Sequence, residues 1–209
     1  MTQRFSEAER RAVYRVIAER RDMRHFSGGA VDPGVLRRIL EAAHAAPSVG
    51  LMQPWRFLRV QDPHVRQGIA DLVAIERDRT AEELGERAAE FLRLKVEGIG
   101  ECAELLVVSL GPDRDRHVFG RRTMPHMDVA SVACAIQNLW LAARSENLGM
   151  GWVSMFEPRA LAELLALPEG SEPLAVLCLG PVERFYDKPM LVEERWAEPR
   201  PLDELVEHR

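Results

Sequence analysis

Arg20, Arg21, Asp22, Met23 and Arg24, in the stretch RRDMRHF, set three guanidinium groups around one carboxylate. A phosphate monoester carries close to two negative charges, and guanidinium forks match its oxygens bidentately. In an extended segment Arg20, Asp22 and Arg24 face one way and Arg21 the other, whereas in a helix Arg20 and Arg24 align. Either geometry lets two arginines reach one anion. The competing reading is structural: cations at a helix C-terminus complement its dipole, and Asp22 is their surface partner. A carboxylate inside an anion-binding segment works against affinity, so Asp22 points to a role beyond binding.

Two further segments can carry chemistry. In AAPSVGLMQPWRF, Ser48 and Gln53 are polar groups in an otherwise apolar turn, which suits hydrogen bonding to the edge of a flat heterocycle. It reads equally as an ordinary helix-to-strand loop in which Ser48 caps backbone. In NLGMGWVSMF, Gly149 and Gly151 let backbone approach a ligand or another strand closely, and Ser154 follows. His25, His44 and His126 sit in no motif and are read as surface or packing residues.

The elements that must position these residues follow from periodicity and caps. Ser6 and Glu9 form a capping-box pattern for a helix over 6–20, with Val13, Val16 and Ile17 on one face. Asp32 and Pro33 start a second helix that stops at Pro47. WRFLRV, 55–60, is a short strand. Two helices follow, one over VRQGIADLVAIERDR and a charged one from Thr80 to Gly98. ELLVVSLG, 104–111, is continuously apolar and reads as a strand buried on both faces. The most apolar helix is DVASVACAIQNLWLAARSENLG, capped by Asp128, ended by Gly149, and expected to be buried all round because small residues such as Ala130, Ala133 and Ala135 surround it. MGWVSMF is a strand or strand-like turn, EPRALAELLAL a short helix and LAVLCLG the last core strand. The remainder, PVERFYDKPMLVEERWAEPRPLDELVEHR, has little core pattern and is expected to pack on a second subunit. The order is mixed α and β, without the strict alternation of a doubly wound sheet.

Several function classes drop out. The chain lacks G-x-x-x-x-G-K-[ST], G-x-G-x-x-G after a strand, H-E-x-x-H and G-x-S-x-G, which argues against P-loop NTPases, Rossmann dehydrogenases, zincins and serine hydrolases. Its net charge is −5, giving no basic footprint for nucleic acid. Cys102, Cys134 and Cys178 are far apart, so neither a metal site nor a disulfide framework is expected, and all three read as small buried residues in a reducing compartment. No apolar run reaches the ~20 residues of a membrane span, and the start has no signal-peptide core, so the expected location is the cytoplasm.

Taken together, RRDMR, AAPSVGLMQPW, LKVEGI, CAIQNLWLAAR, GWVSMF and ERFYDKPMLVEERWAEPRPL resemble the nitroreductase-like flavoprotein family from Arg20 to about Arg200. The resemblance implies an α+β, nitroreductase-like fold, with a central, mainly antiparallel sheet flanked by helices. It implies a single FMN domain over 1–209 and an obligate homodimer that exchanges C-terminal segments and binds FMN at the subunit boundary. Members that reduce nitro compounds usually carry a small polar residue where this chain has Asp22. A branch in which reduced FMN is itself the substrate, with O2 as co-substrate and NAD(P)H as electron source, carries Asp there and Ser in GWVS. On that resemblance Asp22 is the acid-base group, and Ser154 orients the flavin edge or the reacting oxygen. Arg20, Arg21 and Arg24 become the phosphate and ribityl clamp. Met23, Ser48, Met52, Gln53 and Leu94 join the FMN contacts, Lys95 lies near the N1/O2 edge, and Arg200 lies near a phosphate or the subunit boundary. A separate flavin reductase is a further expected partner. The alternatives are an FMN-dependent NAD(P)H oxidoreductase of nitroaromatics or quinones, and a flavin-binding protein without turnover.

Overall fold

A computed structural model describes residues 4–209. Helix α1 (Glu7–Glu19) begins with the capping box read from the sequence: Glu9 N–H donates to Ser6 Oγ at 3.3 Å and Ser6 N–H to Glu9 Oε2 at 2.7 Å. Helix α2 (Pro33–His44) starts where the Asp32 carboxylate accepts from the N–H groups of Gly34 and Val35. It ends three residues before Pro47. Strand β1 (Trp55–Arg59) leads into α3 (Pro63–Leu84), a short α4 (Ala88–Phe91) and strand β2 (Glu104–Leu110). Then come α5 (Met127–Ser145), β3 (Gly149–Val153), α6 (Pro158–Leu164), β4 (Glu172–Gly180) and a single turn, α7 (Met190–Glu193).

The four strands lie in the order β1-β2-β4-β3, each neighbour antiparallel. The two central strands are mostly apolar because the sheet is covered on both faces. Leu106, Val108, Leu110, Ala175, Leu177 and Leu179 point toward α2 and α5, joining Ile39, Ile136 and Leu139. Leu105, Val107, Val176 and Cys178 point the other way, toward Ile69 and Val73 of α3 and Leu161 of α6. This is the strand period of two, applied to two hydrophobic cores.

Some boundaries differ from those read in the sequence. Helix α3 runs through Thr80 without a break, since the Thr80 hydroxyl donates to the Glu76 carbonyl one turn back. It stops at Gly85, whose φ of 54° only glycine adopts without strain. The charged helix expected to reach Gly98 is only α4, followed by turns. Asp128 is not the cap of α5. It sits in the first turn, buried, and accepts from Arg121 at 3.0 Å and Arg114 at 3.4 Å, tying down the loop before the helix. Helix α5 ends at Ser145, with Asn147 in the left-handed region at φ 59°, and Gly149 opens β3 instead. Nor is α5 buried all round: Val129, Ala130, Cys134 and Gln137 face outward, so Cys134 is exposed while Cys102 and Cys178 are buried.

The C-terminal segment packs on its own body more than expected. Val182, Phe185 and Tyr186 join the α3–α6 core, and Trp196 lies against Phe91 with ring centroids 6.0 Å apart. From Ala197 onward every residue is exposed, including Leu202, Leu205 and Val206. Among the described residues no helix is long and apolar enough to cross a membrane, and no group of three or more His, Cys, Asp or Glu could hold a metal ion.

Candidate active site

The arginine-rich stretch leaves α1 in extended conformation and runs along β3. Met23 N–H donates to the Met150 carbonyl at 2.9 Å, and Asp22 bridges Met150 in parallel sense. The extended alternation then sorts the side chains. Met23 is buried in the core, while Asp22 and Arg24 turn into a cavity of ≈230 Å³. Glycine at 151 is what permits this approach, since a Cβ there would sit 2.2 Å from the Met23 carbonyl oxygen. Gly151→Ala is therefore expected to lift the 22–24 segment off β3, lowering the melting temperature and weakening flavin binding. Gly100→Ala, where a Cβ meets nothing within 4 Å, is the matched control. Equal melting and flavin titration curves for the two variants would contradict this reading of the contact.

Asp22 is held at both carboxylate oxygens. The backbone N–H of Trp152 donates to Oδ1 at 3.0 Å, and Nη2 of Arg24 donates to Oδ2 at 2.6 Å. Arg24 Nη2 also donates to the Trp152 carbonyl at 2.9 Å. Ser154, just past the end of β3, lines the same cavity, whose apolar walls come from Phe91, Leu94, Trp152 and Trp196. Burial among these walls pushes the Asp22 carboxyl above the ordinary aspartate range; Arg24, the Trp152 N–H and Arg20 pull it down but do not prevail. The sequence leaves that contest open, and the packing decides it upward.

The three arginines have separated roles. Arg21 is engaged by backbone: its Nη1 donates to the carbonyls of Ala18 and Arg20, and its Nη2 to that of Asp187, each at 2.8 Å, tying the C-terminal segment to the end of α1. It is thereby corrected from clamp to strap. Arg24 is turned to Asp22. Arg20 lies with its guanidinium 4.6 Å from the Trp140 ring centre and has no carboxylate partner among the described residues. It lines a second cavity, of ≈490 Å³, with Asp22, Trp140, Met190 and Leu191. Asp22 thus stands between an aromatic-walled cavity and one that presents the Arg20 guanidinium.

Other residues singled out in the sequence lie elsewhere. Ser48 Oγ accepts from Gln53 N–H at 3.0 Å, and Val49 N–H donates to Ser131 Oγ at 3.0 Å, closing a turn in which Gly50, Leu51 and Gln53 all have positive φ. Ser48, Met52 and Gln53 line neither cavity that Asp22 lines. Helix α5 explains why: it meets this turn at Ser131 but meets the arginine segment at Trp140, whose Nε1 donates to the Arg21 carbonyl at 3.1 Å. Nine residues of helix put the two contacts ~13 Å apart. Lys95 is paired with Glu101, whose carboxyl it holds below the usual range, and faces a separate depression beside Arg77 and Glu97. Its neighbour Leu94 does wall the Asp22 cavity. Arg200 is exposed and meets only Glu204, at 3.4 Å. Within one chain, then, neither Lys95 nor Arg200 reaches the site. The histidines are packing residues in part: His44 accepts from Trp55 Nε1 at 3.2 Å, and His25 Nδ1 lies 2.7 Å from the Tyr186 hydroxyl.

Sequence reasoning passed over Trp152 and Trp196. Trp152 acts through its backbone, to which only the glycine flanking it was a clue. Trp196 lies in the C-terminal stretch read as lacking core pattern.

A family model described as the nitroreductase family matches residues 17–181, which take in the Asp22 segment, the Ser48 turn and the whole sheet. The chain belongs to the nitroreductase family. Within that family the chain is 37% identical over 201 residues to a 5,6-dimethylbenzimidazole synthase of Rhodobacter capsulatus, covering 95% of this chain and 97% of that protein. It is 38% identical over 185 residues to the 5,6-dimethylbenzimidazole synthase of Rhodospirillum rubrum, covering 87% of each. The crystal structure of oxidised iodotyrosine deiodinase bound to FMN and 3-iodo-L-tyrosine matches at a TM-score of 0.72 and 22% identity, covering 90% of this chain and 95% of that chain. That likeness establishes the nitroreductase-like fold, as the antiparallel sheet and its two helical layers require.

Proposed function

We propose that this chain is a 5,6-dimethylbenzimidazole synthase, converting reduced FMN with dioxygen into the lower ligand of vitamin B12. The observation that carries the reading is the joining of Asp22 and Ser154 in one aromatic-walled cavity, in a chain 37% identical to such a synthase over nearly its whole length. The residues fit FMN: apolar and aromatic walls suit the ring system, and Arg20 supplies a cation for the phosphate in the adjoining cavity. Reduced FMN supplies both the electrons and the carbon skeleton, and NAD(P)H is the source from which it is reduced, directly or through a separate flavin reductase. Asp22 is the acid-base group. Burial raises its carboxyl above the ordinary aspartate range, so it takes up a proton more readily than a free aspartate and can return it, which suits proton transfers to and from one ligand. Ser154, exposed to the same cavity, offers a hydroxyl to orient the reacting edge. Phe91, Trp152 and Trp196 give an apolar surface on which the flavin ring can pack.

The deciding experiment is anaerobic reduction of bound FMN, admission of oxygen, and chromatography of the products. Formation of 5,6-dimethylbenzimidazole with matching loss of FMN is expected. Recovery of oxidised FMN alone, with steady NAD(P)H consumption on a nitroaromatic or quinone, would replace the synthase with a general oxidoreductase.

The working unit in this proposal is a homodimer of single FMN domains spanning 1–209, of which residues 1–3 lie outside the described ones. The Ser48–Gln53 turn and the Asp22 cavity are separated by α5 within one chain, so a second copy is needed to bring one copy's turn to the other's cavity. Val13, Tyr14 and Ile17 on α1 and Val129 on α5 are exposed apolar residues suited to such a contact. Leu202, Leu205 and Val206, on the segment with no packing of its own, suit an exchanged arm. Light scattering at micromolar concentration is expected to give twice the chain mass, and truncation after Ala197 is expected to weaken the dimer. A monomer that binds FMN normally would overturn this assembly.

A further inference from the structure

Arg24 is the most enclosed cation of the site. Its side chain is 10% exposed, against 41% for the Asp22 carboxylate it meets. Nη2 is shared between Asp22 Oδ2 at 2.6 Å and the Trp152 carbonyl at 2.9 Å, and Trp152 returns its N–H to Asp22 Oδ1. Guanidinium, carboxylate and one residue's backbone therefore close a ring. The other two guanidinium nitrogens, Nε and Nη1, are buried without a partner among the described residues and have almost no surface open to the cavity. Nη1 is packed over Gly151, 3.0 Å from where a Cβ would stand. The backbone is pinned as well: Arg24 N–H donates to the Tyr186 hydroxyl at 3.1 Å. An arginine so enclosed has no spare edge for a phosphate, which is the opposite of Arg20.

We infer that Arg24 is a positioning residue for the acid-base step, fixing the Asp22 carboxylate through the ion pair and the Trp152 backbone, and not a phosphate ligand. This rests on the proposed function, because it gives Asp22 an acid-base step to be positioned for. The other groups facing Asp22 leave Arg24 as its main control. Arg20 is the second cation near it, and Arg21 has its Nη1 and Nη2 on carbonyls. Strand β3 contributes the Trp152 N–H, and the turn after it contributes the neutral Ser154. Helix α5 offers Trp140, the stretch after α4 offers Leu94 and Val96, and the C-terminal segment offers Met190, Leu191 and Trp196, none of them charged. Tyr186 meets Arg24 at its backbone N–H, and His25 meets the Tyr186 hydroxyl. Removing the Arg24 charge takes away the strongest force opposing burial, so the carboxyl must titrate at still higher pH.

The test compares Arg24→Gln and Arg24→Lys in the full-length protein by three readouts. The pH profile of FMN loss after oxygen is admitted to the reduced complex should move its acid limb upward in Arg24→Gln, since an arginine beside an aspartate holds its carboxyl down. Arg24→Lys, which keeps the charge, should reverse most of that shift while recovering less of the rate, since the shorter lysine side chain holds its ammonium back from the place where Nη2 meets both Oδ2 and the Trp152 carbonyl. The ratio of FMN to riboflavin affinity should stay that of the unaltered protein in both. Carboxyl-carbon NMR titration of Asp22 in the flavin-free chain supplies a readout that needs no turnover and should show the same upward shift. An unmoved Asp22 titration, or a selective loss of FMN over riboflavin affinity, overturns the inference even where FMN is converted. A moved titration in a protein that never converts FMN instead overturns the synthase reading and leaves the Arg24–Asp22 pairing intact.

Discussion

Asp22→Asn is expected to leave FMN bound as tightly as before, or more tightly, and to lower 5,6-dimethylbenzimidazole formed per reduced flavin by ~10²-fold or more. The substitution keeps size and keeps an oxygen to accept the Trp152 N–H now held at 3.0 Å. It replaces the oxygen facing Arg24 by an amide NH₂, so the 2.6 Å contact becomes donor against donor and the ion pair is lost. The negative charge near the phosphate site is gone, which favours anion binding, while the carboxyl that lines the cavity can no longer exchange a proton. Affinity and turnover therefore move in opposite directions, a pattern that general unfolding does not give. Product yield is measured by chromatography after oxygen is admitted to the reduced complex, and affinity by flavin fluorescence. Turnover at the unaltered rate would reduce Asp22 to a structural residue. Ser154→Ala should be milder, because it removes one orienting hydroxyl and no proton carrier.

Arg20→Ala should weaken FMN binding by roughly 10- to 150-fold, the equivalent of losing a charge-assisted contact of ~1.5–3 kcal/mol. Arg20 is the member of the trio that still offers its guanidinium, resting on the Trp140 ring at 4.6 Å with no carboxylate partner among the described residues. A stacked cation of this kind is pre-oriented by the ring at a cost of only about 0.5–1 kcal/mol to displace. Riboflavin, which lacks the phosphate, should bind the variant nearly as it binds the unaltered protein. Parallel isothermal titrations with the two flavins decide it: equal losses for both would mean that Arg20 meets some other part of the ligand.

The local elements were legible where the signal is local. The capping box of Ser6 and Glu9, the Asp32 cap and the doubly buried run of β2 each depend on residues within one turn or one strand, and each formed as read. The misread boundaries had longer-range causes. Thr80 looks like a break but satisfies its hydroxyl inside α3, and Asp128 looks like a cap but is drawn to Arg114 and Arg121 from the preceding loop. The outward face of α5 could not be foreseen, since small residues such as Ala130 and Ala133 suit a buried helix and a helix waiting for a partner equally well.

For the site, the sequence by itself determined the inventory: a carboxylate among arginines, a serine after a glycine-rich strand, and an apolar frame able to exclude water. Composition and spacing establish these because they name chemical groups, and the family likeness follows from the same stretches. What only the tertiary structure decided is the use of each group. Asp22 meets the Trp152 N–H across 130 positions of chain, and Arg21 meets the Asp187 carbonyl across 166. Pairings at that distance are set by how β3 and the C-terminal segment pack, and side-chain charge alone does not encode them. Three chemically equal arginines thus became a strap, a positioner and a free cation because hydrogen bonds depend on angstrom-scale geometry. The raised Asp22 carboxyl has the same origin, since desolvation depends on which apolar walls close around it.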